Sequence, residues 1–359
     1  MAYVAVRGGR EAIENAERFL GFQRDHGPTP PLEVAQVATR LHLAVDRVMG
    51  EGSLYAPGLA ALALIQSAGD TFEAAFAIRA HRATLPRIAT SLAAGTGAMR
   101  VIRRISSAFK EIPGGQILGP TPDYTLRLLD FSLIEEEPAV RAARLAAFVR
   151  EAGSAAPAPA TFPKMVDILR AENLLADAPA AREEAPFDVT REALRFPAPR
   201  SAVLQTLARG ETGGLLALAY SNMRGYGAVH PTIGELRVGF LPLKVPHPVT
   251  GRPETIGEVK VTEAEIISQT HAAGEAPRFH LGYGLCFGHN ETKAISMAVL
   301  DRAIGQRGNS PSEDEEFVLS HVDGIEAMGF AGHFKLPHYV TFQSSLDRLR
   351  KMQERHAGA

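Results

Sequence analysis

The sequence predicts an α+β protein: a mainly helical N-terminal region over 1–150, a variable Ala/Pro-rich linker or excursion over 151–200, and an α+β C-terminal domain over 201–359 whose sheet is mostly antiparallel and packed by helices. Three observations predict it. Apolar residues recur three and four apart in the first third. Residues 151–163 and 183–199 are punctuated by alanine and proline. From Ser201 onward, three segments alternate apolar and polar residues before a helical pattern returns.

Taken in order, residues 1–8 read as a first strand, and 9–135 as mostly helical. Leu41, Val45, Val48 and Met49, then Leu59, Leu62 and Ile65, keep helical spacing. Asp70 stands three before Glu73, a capping-box arrangement that starts a helix running to about Arg82. Residues 99–112 fit a strand or a helix, and Pro113-Gly114-Gly115 is a turn. A short helix is expected over 165–175 and an apolar one over 214–223, ended by Arg224-Gly225-Tyr226-Gly227. Leu236, Val238 and Phe240, then Ile256, Val259 and Val261, then Leu281, Tyr283, Leu285 and Phe287 mark three strands. Asn290 caps a helix with Ala294, Met297, Ala298 and Ile304 on its apolar face. Two more helices are expected, over 311–328 and from Tyr339 to the end, the last charged and suited to docking on a partner.

Composition narrows the function. Hydrophobic residues make up 45% and charged residues 22%, as in ordinary globular proteins. A net charge of -2 and a pI near 6.7 give no general attraction to nucleic acid or to an anionic membrane. Tryptophan is absent, which removes the best platform for stacking bases. No apolar run approaches the ~20 residues of a membrane span. A soluble protein is expected. The lone Cys286 excludes an intrachain disulfide and any iron–sulfur cluster held by this chain alone, and it fits a reducing cytoplasm.

Nine of the twelve histidines lie from His230 onward. His333 and His338 bracket a Pro-containing loop, and together they either pinch one divalent ion or act as hydrogen-bonded structural residues. As metal ligands they need completion by water, substrate, a partner chain, or a carboxylate such as Glu316 or Asp323. Gly282, Gly284 and Gly288 match neither a P-loop nor the dinucleotide fingerprint. Two readings of that run stay open. The helix opening at Asn290 can offer its amides to an anion with Lys293 adding charge, or the glycines only permit close packing. Arg100, Arg103 and Arg104 can grip polyphosphate or can be ordinary surface arginines. The acidic run 313–316 reads as a solvated helix N-terminus favoured by the macrodipole, or else Glu316, beside the apolar Phe317, turns inward as a ligand or proton carrier. Cys286 sits in an expected strand and reads as a small buried apolar residue.

At these motifs the chain resembles the I-subunit (PhnI) family of the bacterial carbon–phosphorus lyase complex. The resemblance runs through Leu43-Ala44-Val45-Asp46-Arg47-Val48-Met49, Arg103-Arg104-Ile105-Ser106, Ile112-Pro113-Gly114-Gly115-Gln116 and Arg224-Gly225-Tyr226-Gly227 with His230-Pro231. Its most specific stretches are 282–288, Lys293-Ala294, Asp301-Arg302-Ala303, Asp314-Glu315-Glu316-Phe317-Val318-Leu319 and Lys335-Leu336-Pro337-His338-Tyr339-Val340. Residues 135–199 depart from the pattern in length and composition.

The resemblance implies displacement of adenine from the ribose C1 of MgATP by an alkylphosphonate, giving ribose 1-alkylphosphonate 5-triphosphate. Alone, the family's subunit resembles a purine nucleosidase acting on ATP or GTP. The implied partners are subunits G, H and J of the core, with L and the ATPase subunit K. J carries the iron–sulfur chemistry, Mg²⁺ arrives with the nucleotide, and Zn²⁺ is held by the residues matching His333 and His338. Such chemistry asks for a proton donor to the leaving base and for cationic or amide clamps. Glu291, Asp301 and Glu316 are the candidate proton carriers, and Asn290, Lys293, Arg100, Arg103 and Arg104 the candidate clamps. A non-catalytic scaffold and a metal-dependent phosphohydrolase are the rival expectations.

Overall fold

Residues 9–134, 136–153, 162–176, 185–269 and 277–358 are described by the structure, a computed structural model. The strand expected over 1–8 lies outside them. The described residues divide into two compact units, neither of them a continuous segment: one comprises 1–85, 187–218 and 314–359, the other 86–186 and 219–313.

Helices build the first unit. His42–Gly52, Pro57–Gln66 and Thr71–Thr84 bury Val45, Val48, Met49, Ala60, Ala61, Leu64 and Ile78 against one another. The Asp70 carboxylate accepts from the amides of Phe72 and Glu73, so the expected cap is in place and the helix runs two residues past Arg82. Arg79 ties the unit's separate stretches. One guanidinium nitrogen holds both Asp323 oxygens at 2.8 and 2.7 Å, while others reach the carbonyls of Glu51 and Arg209 at 2.9 Å each. The single helix expected over 311–328 is broken into Glu315–His321 and Gly324–Gly332 after a short turn. Asp314 and Asp323 each cap a helix start with their own carboxylate, and an aspartate in that role halts the preceding helix as it opens the next.

Beyond Thr84 the helical expectation fails. Residues 86–134 are mostly extended or irregular, and Arg100–Ile105 forms strand β1. That stretch belongs to the second unit, whose sheet runs β1, β2 (Thr232–Pro246), β3 (Pro253–Gln269), β4 (Phe279–Phe287), antiparallel throughout. The register pairs Arg104 with Arg237, Glu235 with Glu265, Arg237 with Glu263, and Glu265 with Tyr283.

Helix Glu291–Gln306 packs one sheet face. Gly282 and Gly284 lie in β4 beneath it, where a Cβ on either would drive into the carbonyls of Ala298 and Ala294. The glycines let helix and strand backbones approach, which settles the packing reading. Only Gly288, at φ 77°, makes the turn. On the other face, Val166, Leu169 and Leu175 of the short helix Met165–Ala171 and its C-terminal extension pack with Ile267. The apolar helix Thr212–Ser221 ends as expected near Gly225, whose φ is 116°. No single helix among the described residues is long and apolar enough to cross a membrane.

Candidate functional site

Strand alternation gives the sheet two chemically different charged clusters, one per face. On the face packed by Glu291–Gln306, Arg103 leaves β1 and is only 1% exposed. Its guanidinium is shared among the carboxylates of Glu291 and Asp123 and the carbonyl of Leu118. His289 Nε2 meets a Glu291 oxygen at 3.1 Å. Burial pushes the Glu291 carboxyl up, but the hydrogen bonds and charge of His289 and Arg103 outweigh it and hold it below the usual carboxylate range. The Asp123 carboxyl is lowered by the Thr121 hydroxyl and by Arg103. One arginine therefore stands against two ionised carboxylates, with an imidazole at the partly exposed rim.

The expected clamps are placed differently. Asn290 caps its helix by accepting from the Lys293 amide at 3.1 Å, and its own N–H donates to Thr262 Oγ1 at 2.9 Å. That helix start already carries Glu291 as its anion, so the site does not present a vacant positive terminus. Lys293 is 0% exposed, its ammonium enclosed by protein rather than offered to solvent. Arg104 is also fully buried: it pairs with Glu235, donates to the carbonyls of Pro113 and Pro163, and stacks on Phe162. Arg100 is exposed and pairs with Glu258 at 2.8 Å. Consecutive arginines on a strand point to opposite faces, so Arg103 and Arg104 cannot act as one clamp.

Among the proton-carrier candidates, Asp301 is buried and accepts from the Tyr283 amide of edge strand β4 at 2.9 Å, which is a structural duty. Glu316 belongs to the first unit and lies on an exposed helix face rather than turning inward. Of the three, Glu291 is the one that meets both an arginine and an imidazole.

The second cluster was not legible as a site. On the opposite sheet face, Glu263 takes two Arg237 nitrogens, the Tyr283 hydroxyl at 2.9 Å and Lys164 Nζ at 3.0 Å. Lys164 also pairs with Glu265 and reaches Thr96 Oγ1 at 3.2 Å. Burial, then the Glu263 charge, push the Glu265 carboxyl up to about 7. Burial also raises Glu263, yet Arg237 and Lys164 prevail and its carboxyl lies low. Burial and the Glu263 charge raise the Tyr283 phenol far above its ordinary value. The sequence signal is the alternation of Glu235 and Arg237, and of Glu263 and Glu265, which in an antiparallel strand ordinarily marks a solvent face.

His333 and His338 stand with ring centroids 5.2 Å apart. The Nδ1 of His333 donates to the Phe330 carbonyl, and that of His338 to the Leu336 carbonyl at 2.6 Å. Because carbonyls only accept, both Nε2 lone pairs are left for a ligand. Two imidazoles sharing one tetrahedral ion at ~2 Å per nitrogen need centroids about 5 Å apart, which these meet. No third His, Cys, Asp or Glu completes the group among the described residues. Asp323 is spent on Arg79. The pair fits half of a zinc site.

Comparison with known proteins places the chain. Residues 2–356 match the family described as bacterial phosphonate metabolism protein (PhnI). The chain is 54% identical over 99% of its length to a Stutzerimonas stutzeri protein, covering 97% of it, that carries a provisional name as C-P lyase subunit protein HtxH. It is 44% identical to the Rhizobium meliloti alpha-D-ribose 1-methylphosphonate 5-triphosphate synthase subunit PhnI (99% and 96% covered) and 45% identical to the Escherichia coli protein of that name (98% and 98%). Matched almost end to end by the family and by each of these relatives, the chain belongs to the PhnI family of bacterial phosphonate metabolism proteins.

Proposed function

We propose that this chain is the base-displacing subunit of an alkylphosphonate-degrading assembly, in which an alkylphosphonate replaces adenine on MgATP to give ribose 1-alkylphosphonate 5-triphosphate. The observation that carries this is near-complete coverage at 44–45% identity by subunits named for the synthase of that compound with a methyl group. The His289–Glu291–Arg103–Asp123 cluster supports it chemically.

In such a reaction the C1–N9 bond breaks with its electron pair passing to adenine, which leaves as a neutral base only if a ring nitrogen gains a proton. His289, oriented by Glu291, is the donor. The ribose meanwhile develops oxocarbenium-like positive charge. Two carboxylates against one arginine leave excess negative charge at the rim to stabilise it. A phosphonate oxyanion then forms the new O–C1 bond and needs no base. Water in its place does need one, and the Glu291 carboxylate serves. Arg103 and Arg104 have their donors engaged internally, so the triphosphate grip comes from elsewhere, partner subunits G, H, J and L included. His333 and His338 would hold Zn²⁺, which supplies Lewis-acid and structural chemistry when bound; with His333 half-buried and His338 exposed, the remaining ligands are left to substrate, water or a partner chain.

Purified chain with MgATP is expected to release free adenine, detected chromatographically. With the partner subunits and methylphosphonate, the 1-phosphonate should replace free ribose triphosphate. His289→Ala should cut adenine release by about 10²-fold or more. Inorganic phosphate as the product would favour a phosphohydrolase, and inertness even in the assembly would favour a scaffold. Replacing His338 with alanine should lower zinc per assembled particle, measured by elemental analysis, and equal zinc in both would remove the metal assignment.

A further inference from the structure

The buried charged face of the sheet plays no part in the mechanism above, yet it concentrates seven ionisable groups. Three carboxylates (Glu235, Glu263, Glu265) meet three cations, Arg104 from β1, Arg237 from β2 and Lys164 from the chain entering helix Met165–Ala171, with the Tyr283 hydroxyl of β4 alongside. They are not equally satisfied. Glu235 takes Arg104 on one oxygen and the Met165 amide at 2.9 Å on the other. Glu263 is held by Arg237, Tyr283 and Lys164. Among the described residues Glu265 has Lys164 alone, and its Oε2 has no hydrogen-bond partner although the residue is 3% exposed.

The segments lying over this face are held to it by these groups together with the apolar packing of Val166, Leu169 and Leu175 on Ile267. Lys164 bonds Glu263, Glu265 and Thr96; the Pro163 carbonyl accepts from Arg104 at 2.9 Å; and the Thr96 carbonyl accepts from Arg237 at 3.2 Å. Any opening that lifts residues 162–171 also hydrates Glu265, the least satisfied carboxyl in the layer.

We infer that residues 162–171 form a proton-controlled cover on the sheet, closed while Glu265 carries its proton and loosened when Glu265 ionises. The sign follows from the environment. Burial and Glu263 both penalise the ionised form inside, Lys164 and Arg237 only partly offset them, and the carboxyl is thereby lifted to about 7 from an ordinary value near 4.5. In the opened form Glu265 is hydrated and ionises near its ordinary value. Opening therefore releases one proton between about pH 4.5 and pH 7, where each pH unit favours the open form by up to tenfold, and the dependence levels off above pH 7, where both forms are ionised.

Hydrogen exchange on the full-length chain between pH 5.5 and 9, followed by mass spectrometry and corrected for the intrinsic pH dependence of amide exchange, tests this. Opening of the peptide spanning 165–171 should rise about tenfold from pH 6 to pH 8 and level off above that, with little change in the core helix His42–Gly52 as internal reference. Glu265→Gln should remove the rise. Two further variants guard against misfolding of that one. Glu263→Gln should move the transition to lower pH by removing the repelling charge, and Lys164→Gln should move it to higher pH by removing the attracting one. A pH-independent opening in the wild type, or an unchanged rise in Glu265→Gln, or shifts of the opposite sign in the other two, overturns the inference. None of these readouts depends on turnover.

Discussion

Arg103 and Arg104 are neighbours in sequence with opposite fates, because successive strand residues face opposite sides of a sheet. Arg103 orients the partly exposed cluster around Glu291, and Arg104 locks Glu235 and two carbonyls in the interior. The Glu291 carboxyl lies below its ordinary range in the fold, so its contribution to stability is present above the unfolded value near 4.5 and is lost as pH falls through the folded one. Glu291→Gln should cost about 2 kcal/mol near neutral pH, read from urea unfolding, with the gap to wild type narrowing as pH falls below the ordinary value near 4.5. A constant gap across that range would show that the pairing with Arg103 is not electrostatic. At this scale the sequence identified Glu291 as a proton-handling candidate beside a histidine. It offered no way to tell Glu291 from Asp301 and Glu316, because a carboxylate's duty depends on its partner: a backbone amide for Asp301 and solvent for Glu316.

Elements came through where the signal was local. The Asp70 cap, the Asn290 cap, the short helix beginning at Met165 and the three alternating strands all stand where side-chain chemistry put them. Each depends on residues within a few positions of one another. Failures occurred where a distant partner decided. The segment Arg100–Ile105 is a strand because β2 pairs with it, and no periodicity in 99–112 could reveal that. The glycines of β4 left an anion turn and close packing both open, because a sequence does not show the helix backbone pressed against them. Gly284→Ala should therefore destabilise the protein by about 3 kcal/mol, since the added methyl meets the rigid Ala294 carbonyl rather than a movable side chain. Differential scanning calorimetry checks it, and a near-neutral result would show that strand and helix can separate at little cost.

For the molecule as a whole, one surface is conspicuously apolar. Leu126, Leu128 and Leu129 are 87%, 78% and 81% exposed, with Tyr124 and Phe131 beside them. A concentration of exposed apolar side chains of this kind is costly in water and usually marks a contact. On the proposal that the chain works within an assembly, Leu126→Glu with Leu129→Glu should leave the unfolding temperature within 1–2 °C of wild type while reducing recovery of partner subunits in co-purification. Full recovery would exclude this surface from the interface.

The α+β class, the antiparallel sheet, the helix caps and the family resemblance were all written in the order of residues, because short-range periodicity, capping chemistry and extended runs of identity need no third dimension. Tertiary structure decided three other things: that the units are assembled from separated stretches, that the alternating charges of β2 and β3 are enclosed rather than solvated, and that Glu265 is thereby forced toward neutrality. The reason is common to all three. Burial and pairing are properties of what surrounds a residue, and residues 86–134 and 162–171 enclose that sheet face from positions far away in the chain.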